Sequence, residues 1–214
     1  MTSAPLDLTD RATALRAARQ AGIALEHRLG QHLLVDRRAL ESIVQALAPG
    51  PEDAVLEIGP GIGTLTVELA RRAARVVAVE LDPACARAAR RHTQGVGSVE
   101  VVQGDALRIE PASLGLGPRW LAAGNIPYTI TGALLTHLLE REDPPQRAVL
   151  LVQREVAARL AARAGDWSLS FTTTVGVVDP SGNWYLRKSN GSGAPDAGSF
   201  PYGLGNWTPL FGAS

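Results

Sequence analysis

An apolar run that closes on an acid and then enters a loop with glycine at every second position constrains this chain more than any other feature. It reads Val55-Leu56-Glu57-Ile58-Gly59-Pro60-Gly61-Ile62-Gly63, and an amphipathic stretch from Thr64 to Arg72 follows at once. Strand, glycine turn and helix in that order build a nucleotide-shaped crevice at the carboxyl ends of the strands of an open α/β sheet. Glycine lets the backbone turn sharply, and lets a ligand approach without meeting a Cβ. Gly59 and Gly61 are the positions where such an approach is expected. The loop alone points to a nucleotide-like cofactor and leaves open which one.

The rest of the chain up to about residue 165 repeats the same alternation. Apolar runs predict strands over 54–58, 75–80, 99–103, 120–123 and 148–153. Between and around them, helical periodicity predicts helices over 9–21, 38–47, 83–91, 132–139 and 155–163, the first capped by Thr9 or Asp10. Strands alternating with helices at this spacing imply a largely parallel, doubly wound sheet with helices on both faces. Composition then shifts. All but two of the 21 Lys+Arg residues precede Gly165, and the exceptions are Arg187 and Lys188. Every phenylalanine lies beyond it. In this tail Thr172 to Val178 and Asn183 to Arg187 read as strands joined by the turn Asp179-Pro180-Ser181-Gly182, and residues 189–198 read as loop. The expected division is an N-terminal helical arm at 1–26, a core at 27–165 and a β/loop tail at 166–214.

Partners of the glycine loop narrow the cofactor. Glu80 ends the second strand, where a carboxylate accepts from ribose hydroxyls, which fits NAD and S-adenosyl-L-methionine equally. Glu57 discriminates: an acid just before the loop suits a cation better than a pyrophosphate, which prefers positive charge. That favours S-adenosyl-L-methionine with its ammonium and sulfonium groups. Asp105 ends the third strand and either accepts from an adenine amine or simply caps a turn. Gly124-Asn125-Ile126-Pro127-Tyr128 follows the fourth strand. An aromatic amine is a poor nucleophile because its lone pair is delocalised. The Asn125 side-chain oxygen and the carbonyl preceding or at Pro127 can accept its two N–H bonds, and Tyr128 can stack on the base, worth about 1–3 kcal/mol. A plain strand-end turn also uses Asn and Pro. Cys85, the single cysteine, reads as a small packing residue.

Taken together, residues 27–163 resemble the rRNA adenine N6,N6-dimethyltransferases that modify two adjacent adenosines near the 3′ end of small-subunit (16S) rRNA. The resemblance rests on Arg28-Leu29-Gly30-Gln31-His32-Leu33-Leu34-Val35-Asp36, on Glu57 to Gly63, and on Val79-Glu80-Leu81-Asp82. Gly104-Asp105-Ala106, Asn125 to Tyr128 and Gln153-Arg154-Glu155 complete it. It implies a Rossmann-like class I methyltransferase core. By the same resemblance His32 and Leu34 contact S-adenosyl-L-methionine from an N-terminal lid, and Gly59 lies under its amino-acid portion. Glu80 would hold the ribose, Asp105 the adenine amine, and Asn125 both cofactor and target base, with direct transfer and no metal. The implied partner is small-subunit rRNA within an immature small ribosomal subunit, and the implied enzyme is a cytoplasmic monomer.

Two departures stand out. Leu33 replaces the usual phenylalanine, and after residue 163 the family's last two strands and basic helical domain are absent from the sequence. The tail instead resembles one unit of a bacterial surface-protein β-repeat. The sheet is therefore expected to stop at its fifth strand, leaving an open apolar edge. A zero net charge and a pI of about 6.9 give no chain-wide basic face of the kind a dedicated nucleic-acid binder shows, though a local patch is compatible with both. No apolar run is long enough for a membrane span, and the N-terminus carries no signal-peptide pattern. Two alternatives remain: a non-catalytic chain that binds S-adenosyl-L-methionine or RNA, and a methyltransferase of another amine.

Overall fold

The computed structural model describes residues 6–23, 33–127 and 129–152, together with the backbone of three short strands in the tail. Five parallel strands form its centre: β1 (Ala54–Ile58), β2 (Arg75–Glu80), β3 (Val99–Gln103), β4 (Trp120–Asn125) and β5 (Arg147–Leu151). Their spatial order, β3-β2-β1-β4-β5, reverses direction of growth between β1 and β4. A crevice opens at such a switch point in doubly wound sheets. The predicted strands match closely, except that β4 runs two residues further than expected and β5 ends at Leu151, short of the predicted 153. That extension makes Asn125 the last residue of a strand, opposite Leu151 of β5, rather than a loop residue.

Period two along each strand sends alternate side chains to opposite faces. In β1, β2, β4 and β5 both faces are buried, which is why these strands read as apolar runs, whereas the edge strand β3 is only partly covered. Leu56, Ile58, Val77, Val79, Ala122 and Leu150 face α5 (Thr131–Leu139), whose Leu134, Leu135, Leu138 and Leu139 are all fully buried. Each such leucine contributes about 1.5–3 kcal/mol by leaving water. Val55, Val76, Leu121, Ala123 and Val149 face the other way, against α2 (Arg37–Leu47) and α3 (Thr64–Ala70). On that same side α4 (Pro83–His92) packs Ala86 and Ala89 against Ala78 and Val101. The N-terminal helix α1 (Arg11–Gln20) joins this layer, burying Ala14, Ala17 and Ala18 against Ile62, Cys85 and Ala88.

Helix starts are set by aspartates. Asp10, Asp36 and Asp82 each accept backbone N–H bonds from the first turn of α1, α2 and α4. These contacts satisfy donors that a helix otherwise leaves orphaned. Cys85 is buried and its thiol is pushed up to about 12, chiefly by burial, with the carboxylates of Glu80 and Asp82 adding. That is the environment of a packing residue, not a nucleophile.

The expected open edge at β5 is not what the structure has. β6 (Thr174–Val178) pairs parallel with β5 over its full length, from Arg147↔Thr174 to Leu151↔Val178. β7 (Asn183–Arg187) then runs antiparallel to β6, and β8 (Ser199–Pro201) antiparallel to β7. The outer N–H and C=O groups of an edge strand are a template for any strand within reach. Here the tail supplies one. β6 and β7 correspond to the strands read from the sequence, whereas β8 has no sequence signal of its own. The predicted helix at 155–163 and the loop at 189–198 lie outside the described residues.

Candidate functional site

The carboxyl ends of β1 to β4 carry the residues singled out in the sequence. The glycine loop leaves β1 with Gly59, Gly61 and Gly63 all at positive φ (+67°, +58° and +93°), a backbone that side chains rarely tolerate. Its polar groups are tied down. The Gly59 N–H donates to the Val79 carbonyl and the Gly63 N–H to the Pro60 carbonyl, each at 2.9 Å. Gly61 donates to Glu80 Oε2 at 2.9 Å. A Cβ placed on Gly61 would meet no atom of the described residues within 4 Å, so this side of the loop is open among them.

Glu80 is the hub of the crevice. While Oε2 takes the Gly61 N–H, Oε1 takes the Asp82 N–H at 2.9 Å, and the Glu80 carbonyl accepts from Gly104 at the end of β3. Burial pushes its carboxyl above the usual range, and the two N–H bonds hold the rise in check. An ionised carboxylate has about four lone-pair sites. Those two bonds therefore leave acceptor capacity for ribose hydroxyls.

Glu57 is different. It lies beneath the loop, 1% exposed, with no hydrogen-bond partner for Oε2 among the described residues. Burial raises its carboxyl to about 8, and the nearby charge of Glu80 adds to the rise. The Thr66 hydroxyl moderates the rise without forming a well-made hydrogen bond. A buried carboxyl with an unmet acceptor and no cation beside it among the described residues is the kind of group a positively charged ligand would complete.

Asp105 performs the turn-capping role, accepting the Leu107 N–H at 2.9 Å on Oδ1. Its second oxygen stands 3.5 Å from the Arg108 Nε. Asn125 lies beside the start of the loop, its main-chain carbonyl oxygen 3.7 Å from where a Gly59 Cβ would lie. Pro127 turns out to be engaged: its carbonyl accepts both the Ile130 N–H at 3.2 Å and the Thr131 hydroxyl at 3.1 Å, holding the start of α5. Leu34 is half-buried against the α2/α3 cluster, while its neighbours Leu33 and Val35 pack toward α1 and α4. His32 and Tyr128 lie outside the described residues.

Three further residues contribute, two from inside the quoted motifs and one, His92, from outside them. Gly124 allows β4 to approach β1, since a Cβ there would fall 2.5 Å from the Ile58 carbonyl oxygen. Ile62 anchors the glycine loop in the α1/α4 layer. His92 reaches the loop from the end of α4. Among the described residues no three His, Cys, Asp or Glu side chains cluster as metal ligands, and no described helix is long and apolar enough to cross a membrane.

Comparison with known proteins matches residues 23–177 to the ribosomal RNA adenine dimethylase family. The chain belongs to that family. The match runs past residue 165 into β6, further than the motifs alone reach. Among curated relatives, the ribosomal RNA small subunit methyltransferase A of Geobacter metallireducens is 43% identical over 150 residues, 69% of this chain and 54% of its own length. That of Dehalococcoides mccartyi is 37% identical over 171 residues, 78% of this chain and 59% of its own. The chain thus spans little more than half of the family members it matches. Solved structures agree on the architecture. The 23S rRNA methyltransferase ErmE aligns with a TM-score of 0.54 and 36% identity, covering 62% of this chain and 51% of its own. A dimethyladenosine transferase from Plasmodium falciparum aligns with a TM-score of 0.53 and 31% identity, covering 61% and 46%.

Proposed function

We propose that this chain binds S-adenosyl-L-methionine in the crevice between the glycine loop and the end of β4. On this reading it methylates the N6 amines of adenosines in small-subunit rRNA. The observation that carries the reading is the apposition of two strand ends: the Asn125 backbone at the end of β4 lies beside Gly59 at the end of β1, while Glu80 braces Gly61 from the side. Family membership and the names of the relatives support the substrate class.

Bound S-adenosyl-L-methionine would supply an electrophilic methyl group on a sulfonium. What the chain's own residues contribute is position and charge. The open side of Gly61 would admit the amino-acid portion without steric conflict, and Glu80 would accept from the ribose. Asp105 would offer its outer oxygen to the adenine amine. The Asn125 side-chain oxygen would accept one N–H of the target amine. Because two donors already occupy the Pro127 carbonyl, the second acceptor is the Ile126 carbonyl. Two such acceptors favour a tetrahedral nitrogen and localise its lone pair, so that catalysis comes from orientation and from stabilising positive charge developing on nitrogen. His32, Leu34 and Tyr128 complete the site as lid and stacking residues.

Labelled-methyl transfer to immature small ribosomal subunits tests this reading, with Asn125→Ala beside the parent chain. Incorporation that depends on Asn125 is expected. Saturable cofactor binding without incorporation would instead make the chain a non-catalytic binder, and label on a non-RNA acceptor would change the substrate.

A further inference from the structure

His92 ends α4, where a basic side chain commonly serves the helix's own last carbonyls. Here it does something else. The α4 terminus is already closed by Thr93, whose N–H and hydroxyl both donate to the Ala89 carbonyl at 3.0 and 2.8 Å. The His92 ring leaves the helix, and its Nδ1 stands 2.7 Å from the carbonyl oxygen of Ile62, in the middle of the glycine loop. A carbonyl only accepts, so Nδ1 carries the hydrogen.

That bond completes the restraint of one peptide plane. The C=O of the Ile62–Gly63 peptide is held by His92 and its N–H by the Pro60 carbonyl. The rest of α4 closes on the same turn. A Cβ on Gly63 would lie 3.3 Å from the Ala89 Cα, and the Ile62 side chain is buried with Cys85 and Ala88. Among the described residues the loop therefore has a closed side made by α4 and an open side at Gly61. Which way the open side faces depends on the plane that His92 fixes.

We infer that His92 is a positioning residue for the cofactor crevice: by donating from Nδ1 to the Ile62 carbonyl it holds the glycine loop in the conformation that presents Gly61 to the ligand. The inference rests on the reading of this crevice as the S-adenosyl-L-methionine site. It requires a donor at that place in space, not a ring and not mere bulk. An asparagine amide nitrogen can occupy nearly the same place, whereas leucine fills similar volume without a donor.

The test is calorimetric titration of the full chain with S-adenosylhomocysteine, at a temperature well below the unfolding transition of every variant. His92→Leu is expected to weaken binding about three- to tenfold, the worth of one net hydrogen bond, and His92→Asn to remain within about twofold of the parent. A purely structural role would lower melting temperature in both variants and leave the affinity of the folded protein unchanged. Equal affinity for His92→Leu and the parent overturns the inference, as does an Asn variant as weak as the Leu one. Glu80→Gln serves as the control for the site itself. Absence of saturable binding in the parent, or unaltered binding in Glu80→Gln, overturns the cofactor reading and this inference with it. A parent that binds, a weakened Glu80→Gln and an unaffected His92→Leu overturn this inference alone.

Discussion

Replacing Glu57 by Gln should remove a pH dependence that the fold builds into its own stability. The carboxyl is 1% exposed, Oε2 lacks a partner among the described residues, and the nearest ionisable influence on it is another acid, Glu80. Its carboxyl therefore titrates at about 8 in the folded protein against 4.5 when unfolded. Between those values the native state holds a proton that the unfolded state has released, so stability falls as pH rises, by about 1.4 kcal/mol per pH unit. The contribution is fully present below 4.5 and is lost as pH climbs through about 8, amounting to about 5 kcal/mol at most across the interval. That is a large share of the roughly 5–15 kcal/mol available to a domain. Glutamine keeps the shape of the neutral acid and cannot ionise. Urea unfolding followed by far-ultraviolet circular dichroism, from about pH 5.5 to 8.5, measures the difference between the two proteins, which should change by about 3 kcal/mol in favour of Gln as pH rises. At the acidic end Gln should already lead by about 1.4 kcal/mol, the part lost between pH 4.5 and about 5.5. Parallel profiles would refute the argument, because every other titrating group is common to both.

Three further outcomes follow from the same contacts. A cationic cofactor placed beside Glu57 favours its charged form, so binding near neutrality should release a proton. Binding heats measured in buffers of different ionisation enthalpy should then disagree for the parent and agree for Glu57→Gln, and agreement in both would exclude the linkage. Gly124→Ala would put a Cβ 2.5 Å from the Ile58 carbonyl oxygen and 2.7 Å from the Ile126 Cδ1. Since the first is backbone within the β1–β4 pairing, a loss of about 1–3 kcal/mol is expected in thermal unfolding, and an unchanged midpoint would contradict the close approach. Asp82→Ala removes the acceptor for the Ala84 and Cys85 N–H groups. It should cost about 1 kcal/mol by denaturant titration, with Asp82→Asn retaining most of it.

Local chemistry made the fold legible from the sequence. Apolar runs buried on both faces, glycines at positive φ and aspartates ahead of helical periods act within a few residues of chain, so β1, β2, β3 and the start of α4 fall where the pattern places them. The motifs at Glu57, Glu80, Asp105 and Asn125 were readable for the same reason: each sits at a strand end whose position the apolar runs fix. Their circumstances were not. Nothing in the order of residues says that Glu57 is sealed beneath its loop while Glu80 accepts two N–H bonds at the rim. Nor does it say that Pro127 spends its carbonyl on the start of α5. The pairing of β6 with β5 depends on which strand reaches an exposed edge, which composition could not tell and which overturned the expected open edge. His92 meets Ile62 across thirty residues of chain, through the packing of α4 on the sheet. A sequence determines which elements form and which groups they carry to the crevice; only their packing together decides what each of those groups touches, because burial and hydrogen-bond partners belong to contacts between residues far apart in the chain.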